Sequence, residues 1–71
     1  MTVNNVKVIS KFVSKKGTLM VSISRGVDKL CDNCLVSNPM SIDFSPNDIV
    51  SGELIFNNNG MNTFILLDKI K

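Results

Sequence analysis

Cys31-Asp32-Asn33-Cys34 is the stretch of this chain where residue type and spacing could do metal or redox chemistry. A CxxC pair supplies two thiolates, and zinc wants four ligands. With no His and no third Cys in the chain, a closed site within one copy would have to draw on Asp carboxylates. A site shared by two chains, using Cys31 and Cys34 from each, is the better version. The plainer reading, two reduced cysteines in a loop, is preferred because the motif is half complete. A redox role expects a βαβ setting and a helix N-terminus to lower a thiol pKa, and the sequence suggests neither. No metal and no cofactor are expected.

Catalysis has less support. The absence of His removes the commonest general base near neutral pH. Asp43, Asp48, Glu53 and Asp68 fall in separate strands and turns, alternating with apolar residues as solvent-facing positions do. Gly17, Gly26, Gly52 and Gly60 do not form a phosphate-cradling series. Gly52, inside a strand pattern, points to a bend or a close strand approach. The chain reads as a binding protein and not an enzyme.

Charge supplies the stronger lead. Net charge is only +2, yet Lys7, Lys11, Lys15, Lys16, Arg25 and Lys29 oppose a single acid, Asp28, in the first 29 residues. From Leu30 to Asp68 there is no Lys or Arg, while Asp32, Asp43, Asp48, Glu53 and Asp68 are all acidic. Lys69 and Lys71 restore positive charge at the end. One basic and one acidic region suit a domain that meets a polyanion on one side. The plainer alternative is that these charges only solvate exposed faces.

Seventy-one residues allow one domain, 1–71. A chain this short buries only ~60% of its unfolded surface, which makes a homodimer a live expectation. The 44% apolar fraction suffices for a core. No stretch approaches the ~20 apolar residues of a membrane span, and the first residues lack the pattern of a signal peptide. Two cysteines without such a signal point to a cytoplasmic setting.

The elements that would position these residues are strands. Val6 to Ser14 carries apolar residues on both faces, Val6, Val8 and Phe12 on one and Ile9 and Val13 on the other, as a bending strand does. Lys7 and Lys11 share the second face. Ser14-Lys15-Lys16-Gly17 is a turn with Gly17 placed for a left-handed conformation. Thr18 to Arg25 alternates, with Leu19, Val21 and Ile23 inward and Thr18, Met20, Ser22 and Ser24 toward water. Within Gly26 to Pro39, Val27 to Leu30 suits one helical turn or part of a long loop, and Leu35-Val36 suits the start of a strand that Asn38-Pro39 interrupts. Met40, Ile42 and Phe44 alternate as a short third strand. Ser45-Pro46-Asn47-Asp48 is a turn. Asp48 to Phe56 and Phe64 to Ile70 are two strands joined through Asn57 to Gly60, where Asn59-Gly60 tolerates the positive φ of a tight hairpin. Five strands joined by short turns and one long loop predict an all-β, five-stranded antiparallel barrel, closed or nearly so, which hides its edges.

Asp48-Ile49-Val50-Ser51-Gly52-Glu53-Leu54 resembles the fourth strand of OB-fold nucleic-acid-binding domains, and Phe64-Ile65-Leu66-Leu67-Asp68-Lys69-Ile70 looks like their fifth. In size and strand rhythm the chain is also similar to small single-stranded-DNA-binding proteins of phages and mobile elements. The resemblance implies a basic groove across strands two and three that tracks a single strand. It departs from the pattern in lacking a clear helix between strands three and four, which leaves an SH3-like or Sm-like barrel as second choice, and in its scarce aromatics.

Single-strand binders combine cations with aromatic stacking platforms. The cations expected at the site are Lys7, Lys11, Lys15, Lys16, Arg25 and Lys29. Met20, apolar on a polar face, would lie against a base or at a dimer contact. Phe12, Phe44, Phe56 and Phe64 share parity with apolar neighbours and are expected in the core. The expected function is single-stranded nucleic-acid binding, DNA before RNA, through backbone charge. The alternative is a small protein-interaction module, such as a phage or mobile-element factor acting on a host protein through its acidic 30–68 region.

Overall fold

Alternating apolar and polar residues build five strands, which a computed structural model describes over residues 1–58 and 60–71. They are β1 (Thr2–Val13), β2 (Leu19–Arg25), β3 (Asp28–Ser37), β4 (Ile49–Ile55) and β5 (Thr63–Lys69). The strands close into a barrel in the order β1-β2-β3-β5-β4, with β4 returning to β1. This is the OB-like five-stranded barrel expected from the strand rhythm. Four of the pairings are antiparallel and β3–β5 is parallel. A closed ring of five strands cannot alternate direction all the way round, so one parallel pair is unavoidable. No helix long and apolar enough to cross a membrane is found among the described residues.

Val3, Val6, Val8, Val21, Ile23, Leu54, Phe64 and Leu66 fill the interior. Fully burying an apolar side chain of this kind is worth about 1.5–3 kcal/mol. Gly52 is buried where β4 meets β5, and a Cβ there would overlap the carbonyl oxygen of Ile65 and press on the Phe64 ring. The close strand approach expected at Gly52 is therefore real.

Two β-bulges bend β1, one between Val3 and Val6 with Asn5 at φ 55°, the other between Val8 and Ser10. Asn tolerates the left-handed region better than most residues. Each bulge resets which face the following residues occupy. The strand starts at Thr2, four residues earlier than the apolar pattern suggests, and the two-faced apolar pattern is the trace of its bends.

The Ser14–Gly17 turn forms as expected. Gly17 N–H donates to Ser14 O (2.9 Å), and Gly17 has φ 83°. The next connection differs from expectation. Arg25 pairs with Asp28 across Gly26 and Val27, and Gly26 has φ 62°. A positive φ at the first of two central residues is the type II′ hairpin pattern. Asp28 to Leu30, expected in a helical turn or loop, thus open β3, ten residues long, which also takes in Leu35-Val36, the expected start of a strand.

Met40, Ile42 and Phe44 form no strand and lie in the 38–48 connection. Asn38 organises it, donating from Nδ2 to Ile42 O (2.8 Å) and accepting from Ile42 N–H at Oδ1 (3.0 Å). The connection delivers Phe44, 5% exposed, into the core cluster with Ile42 packed beside it. A single aromatic ring from this connection thus joins the core. At the other hairpin, Gly60 lies in the 56–62 connection, and Asn59 of the expected turn lies outside the described residues. Phe56 follows the end of β4 and is exposed, because strand parity ceases to place residues once the strand has ended.

Candidate nucleic-acid interface

Directly paired residues in a sheet point to the same face, so the registers define the outer surface of β1, β2 and β3. Lys7 pairs with Ser24 and Ser24 with Lys29. Ser10 pairs with Ser22 in the next row. Phe12 pairs with Met20, Met20 with Leu35, and Leu35 with Thr63. Cations therefore occupy one end of the face, hydroxyls its middle and apolar side chains the end nearest the β1–β2 turn.

The apolar end is concave. A groove of about 570 Å³ is walled by Phe12, Met20, Leu35 and Met61, with Lys15 and Lys16 on the turn at its margin. Ser14, Thr18 and Asn33 complete the lining. Met20 is 4% exposed and Phe12 is 44% exposed. Alternation predicts a wet face for Met20. It lies on that face, but packed between neighbouring strands.

Phe12, expected in the core with Val6 and Val8, is not there. The bulge between Val8 and Ser10 moves it outward, opposite Met20. The same shift separates Lys7 from Lys11, which unbroken alternation would put together. Lys11 pairs with Val21 of the core face. Its Nζ donates to Phe44 O (2.6 Å) and sits 4.3 Å from the Phe44 ring centroid. Lys11 is thereby tied to Phe44 in the 38–48 connection. Of the expected cations, Lys15 and Lys16 border the groove, Lys7 and Lys29 share the far row, and Arg25 stands at the exposed β2–β3 hairpin end opposite Asp28.

The middle of the face is polar and ordered. Ser22 and Ser24, expected to face water, are buried. Asp32 and Asn33 together oppose Ser22 in a bulge, Asn33 having φ 53°. Ser22 Oγ donates to Asp32 Oδ1 (2.8 Å) and accepts from the Asn33 backbone N–H (3.0 Å). Asp32 also stands 3.9 Å from Lys29 Nζ, an exposed pair of little energetic weight. The acidic segment is therefore not segregated from the basic one, because the β2–β3 hairpin carries Asp32 onto the cationic face.

That bulge also turns Cys31 and Cys34 inward, opposite Ile23 and Val21. Both are free thiols in the core, in a strand and not in a loop. Cys34 donates to Val21 O (3.3 Å). Burial first, and the neighbouring Cys31 second, push the Cys34 thiol up to about 12. A zinc site shared between chains needs these sulfurs at the surface, which is not where they lie. Among the described residues no group of three or more His, Cys, Asp or Glu is placed to hold a metal ion.

Phe12, Leu35, Met61, Asp32 and Asn33 belong to the site although strand alternation does not put them there. The sequence signal for Phe12 is the appearance of apolar residues on both faces of β1, which marks a bulge without locating it. The chain matches no protein family, and no curated protein and no solved structure is significantly similar to it.

Proposed function

We propose that the protein binds single-stranded nucleic acid, DNA before RNA, on the outer face of β1, β2 and β3. The observation that carries this reading is the half-exposed Phe12 in an apolar groove bordered by Lys15 and Lys16. Stacking of a base on an aromatic ring is worth ~1–3 kcal/mol, and neighbouring cations hold the backbone. Fluorescence anisotropy with a labelled oligonucleotide at two salt concentrations tests it. Affinity should fall steeply as salt rises, by counterion release. No binding to any single strand at low salt defeats the reading.

A second reading is a protein-interaction module. It is favoured by a separate hollow where exposed Leu67 and Ile70 flank Asp68 beside Asn4 and Asn5. A hollow lined by two exposed apolar side chains, one carboxylate and no cation suits a protein partner better than a polyanion. Contact through Leu67 and Ile70 would depend little on salt, and the oligonucleotide titration would then find no single-strand binding even at low salt.

A further inference from the structure

We infer that Asp32, held by Ser22, makes the face selective for guanine at one nucleotide position. This rests on the single-strand reading of the same face and deepens it. Three observations meet here. Asn33 lines the groove beside Met20 and Leu35, and Asp32 precedes it in the same bulge. Ser22, 3% exposed, fixes the carboxylate through its 2.8 Å hydrogen bond. Asp32 nevertheless remains open to solvent, its side chain 62% exposed.

A carboxylate in the middle of a polyanion-binding face repels phosphate. Its neighbourhood must therefore meet a base, with the phosphates drawn to Lys15 and Lys16 at one end and to Lys7 and Lys29 at the other. A base stacked near Phe12 turns an edge toward the polar row. Ionised Asp accepts hydrogen bonds and donates none, so the edge it recognises must donate.

Guanine alone presents two adjacent donors, N1–H and N2–H, which match the two carboxylate oxygens. Cytosine and adenine each offer one amino group beside a ring nitrogen whose lone pair faces the second oxygen. Thymine offers one N–H between two carbonyls. Asp32 Oδ1 keeps a lone pair after accepting from Ser22. Oδ2 is engaged by the long, exposed 3.9 Å pair with Lys29, of little weight, so a bidentate contact is available once Lys29 turns to a phosphate. A good bidentate pair discriminates by ~1–3 kcal/mol, roughly 5- to 150-fold.

The test compares a labelled oligothymidylate ~12 nucleotides long, within the range such barrels cover, with the same strand carrying one central guanine. Wild-type protein should bind the guanine strand about tenfold tighter. Replacing that guanine by hypoxanthine, which lacks the 2-amino group, should remove most of the gain. Asp32→Asn should abolish the preference while tightening oligothymidylate binding, because the charge is gone. Ser22→Ala keeps the charge but frees it, and should shrink the guanine preference, read as the ratio of the two affinities. Equal, salt-sensitive binding of both strands by wild-type protein overturns the guanine inference and leaves the single-strand reading standing. The inference also fails if Asp32→Asn tightens both strands equally, which makes Asp32 a repulsive charge only. Binding of neither strand defeats both readings together.

Discussion

Phe12 and Met20 stand directly opposite each other on β1 and β2, Met20 buried in the sheet surface and Phe12 half-exposed at the mouth of the groove. The pair separates two contributions to binding. Phe12→Ala should weaken single-strand affinity about tenfold, as removing one stacking platform would, with the salt dependence unchanged. Removing the charge of Lys15 or Lys16 should instead lower the salt slope by ~0.7 for each phosphate left unneutralised. Titrations of these variants across salt check the division. A Phe12→Ala protein that binds as wild type excludes stacking there.

Lys11 should behave unlike the other cations. Lys11→Met should cost about 1–2 kcal/mol of stability, since it removes a charged hydrogen bond to Phe44 O and a cation–π contact. Its salt slope for single strands should match that of wild type. Chemical denaturation and the same titration decide this. A flattened slope with unaltered stability would place Lys11 on the ligand instead.

Gly52 and Gly26 should respond differently to alanine. At Gly52 the added methyl overlaps Ile65 O in the buried β4–β5 pairing, so Gly52→Ala should cost about 3 kcal/mol or more. Gly26 meets open space but has φ 62°, so Gly26→Ala should cost only about 1 kcal/mol of backbone strain. Denaturation midpoints of the two variants test the order.

Cys31 and Cys34 should not be idle, although a loop position would make them so. Both lie in the core, and a Ser hydroxyl at either site is a buried polar group. Cys31→Ser and Cys34→Ser should each destabilise by about 1–2 kcal/mol. Thiol labelling of the native protein should be slow and should track unfolding, because Cys34 is buried and its thiol is pushed up to about 12. Rapid labelling under native conditions would contradict this placement.

Asp48 should contribute an acid-side loss of stability. The Ser45 backbone N–H, donating to its carboxylate at 2.8 Å, holds the group below its ordinary 3.8, aided by Lys69 at 3.3 Å. A folded pKa below the unfolded one stabilises above the unfolded value, and that contribution is lost as pH falls through the folded value. The Tm difference between wild type and Asp48→Asn should be widest near neutrality and close below about pH 4. A constant difference across that range would show that Asp48 acts without its charge.

Much of the fold is legible in the residues. Period-two alternation places β2, β4 and β5 to within a residue or two, and Gly17 and Gly52 mark a left-handed turn and a close strand approach. The β2–β3 hairpin escapes this reading because Gly26-Val27 is a weaker signal than Asn-Gly, and β3 alternates poorly across the Asn33 bulge. Met40 to Phe44 mimics a strand because apolar and polar residues alternate there, yet the segment is a connection that buries Phe44, half-buries Ile42 and leaves Met40 exposed.

By itself the sequence determined an all-β chain with its cations concentrated in the first 29 residues, because side-chain parity and charge are local properties. Only the tertiary structure decided which residues share the candidate site. A β-bulge moves every following side chain to the other face, and strand alternation read from sequence carries no record of where that happens. One such shift brought Phe12 outward and sent Lys11 to Phe44 in the 38–48 connection. Another set Asp32 and Asn33 beside Ser22 and turned both cysteines into the core. Cross-strand pairing, which joins residues far apart in the chain, then made a single face of them.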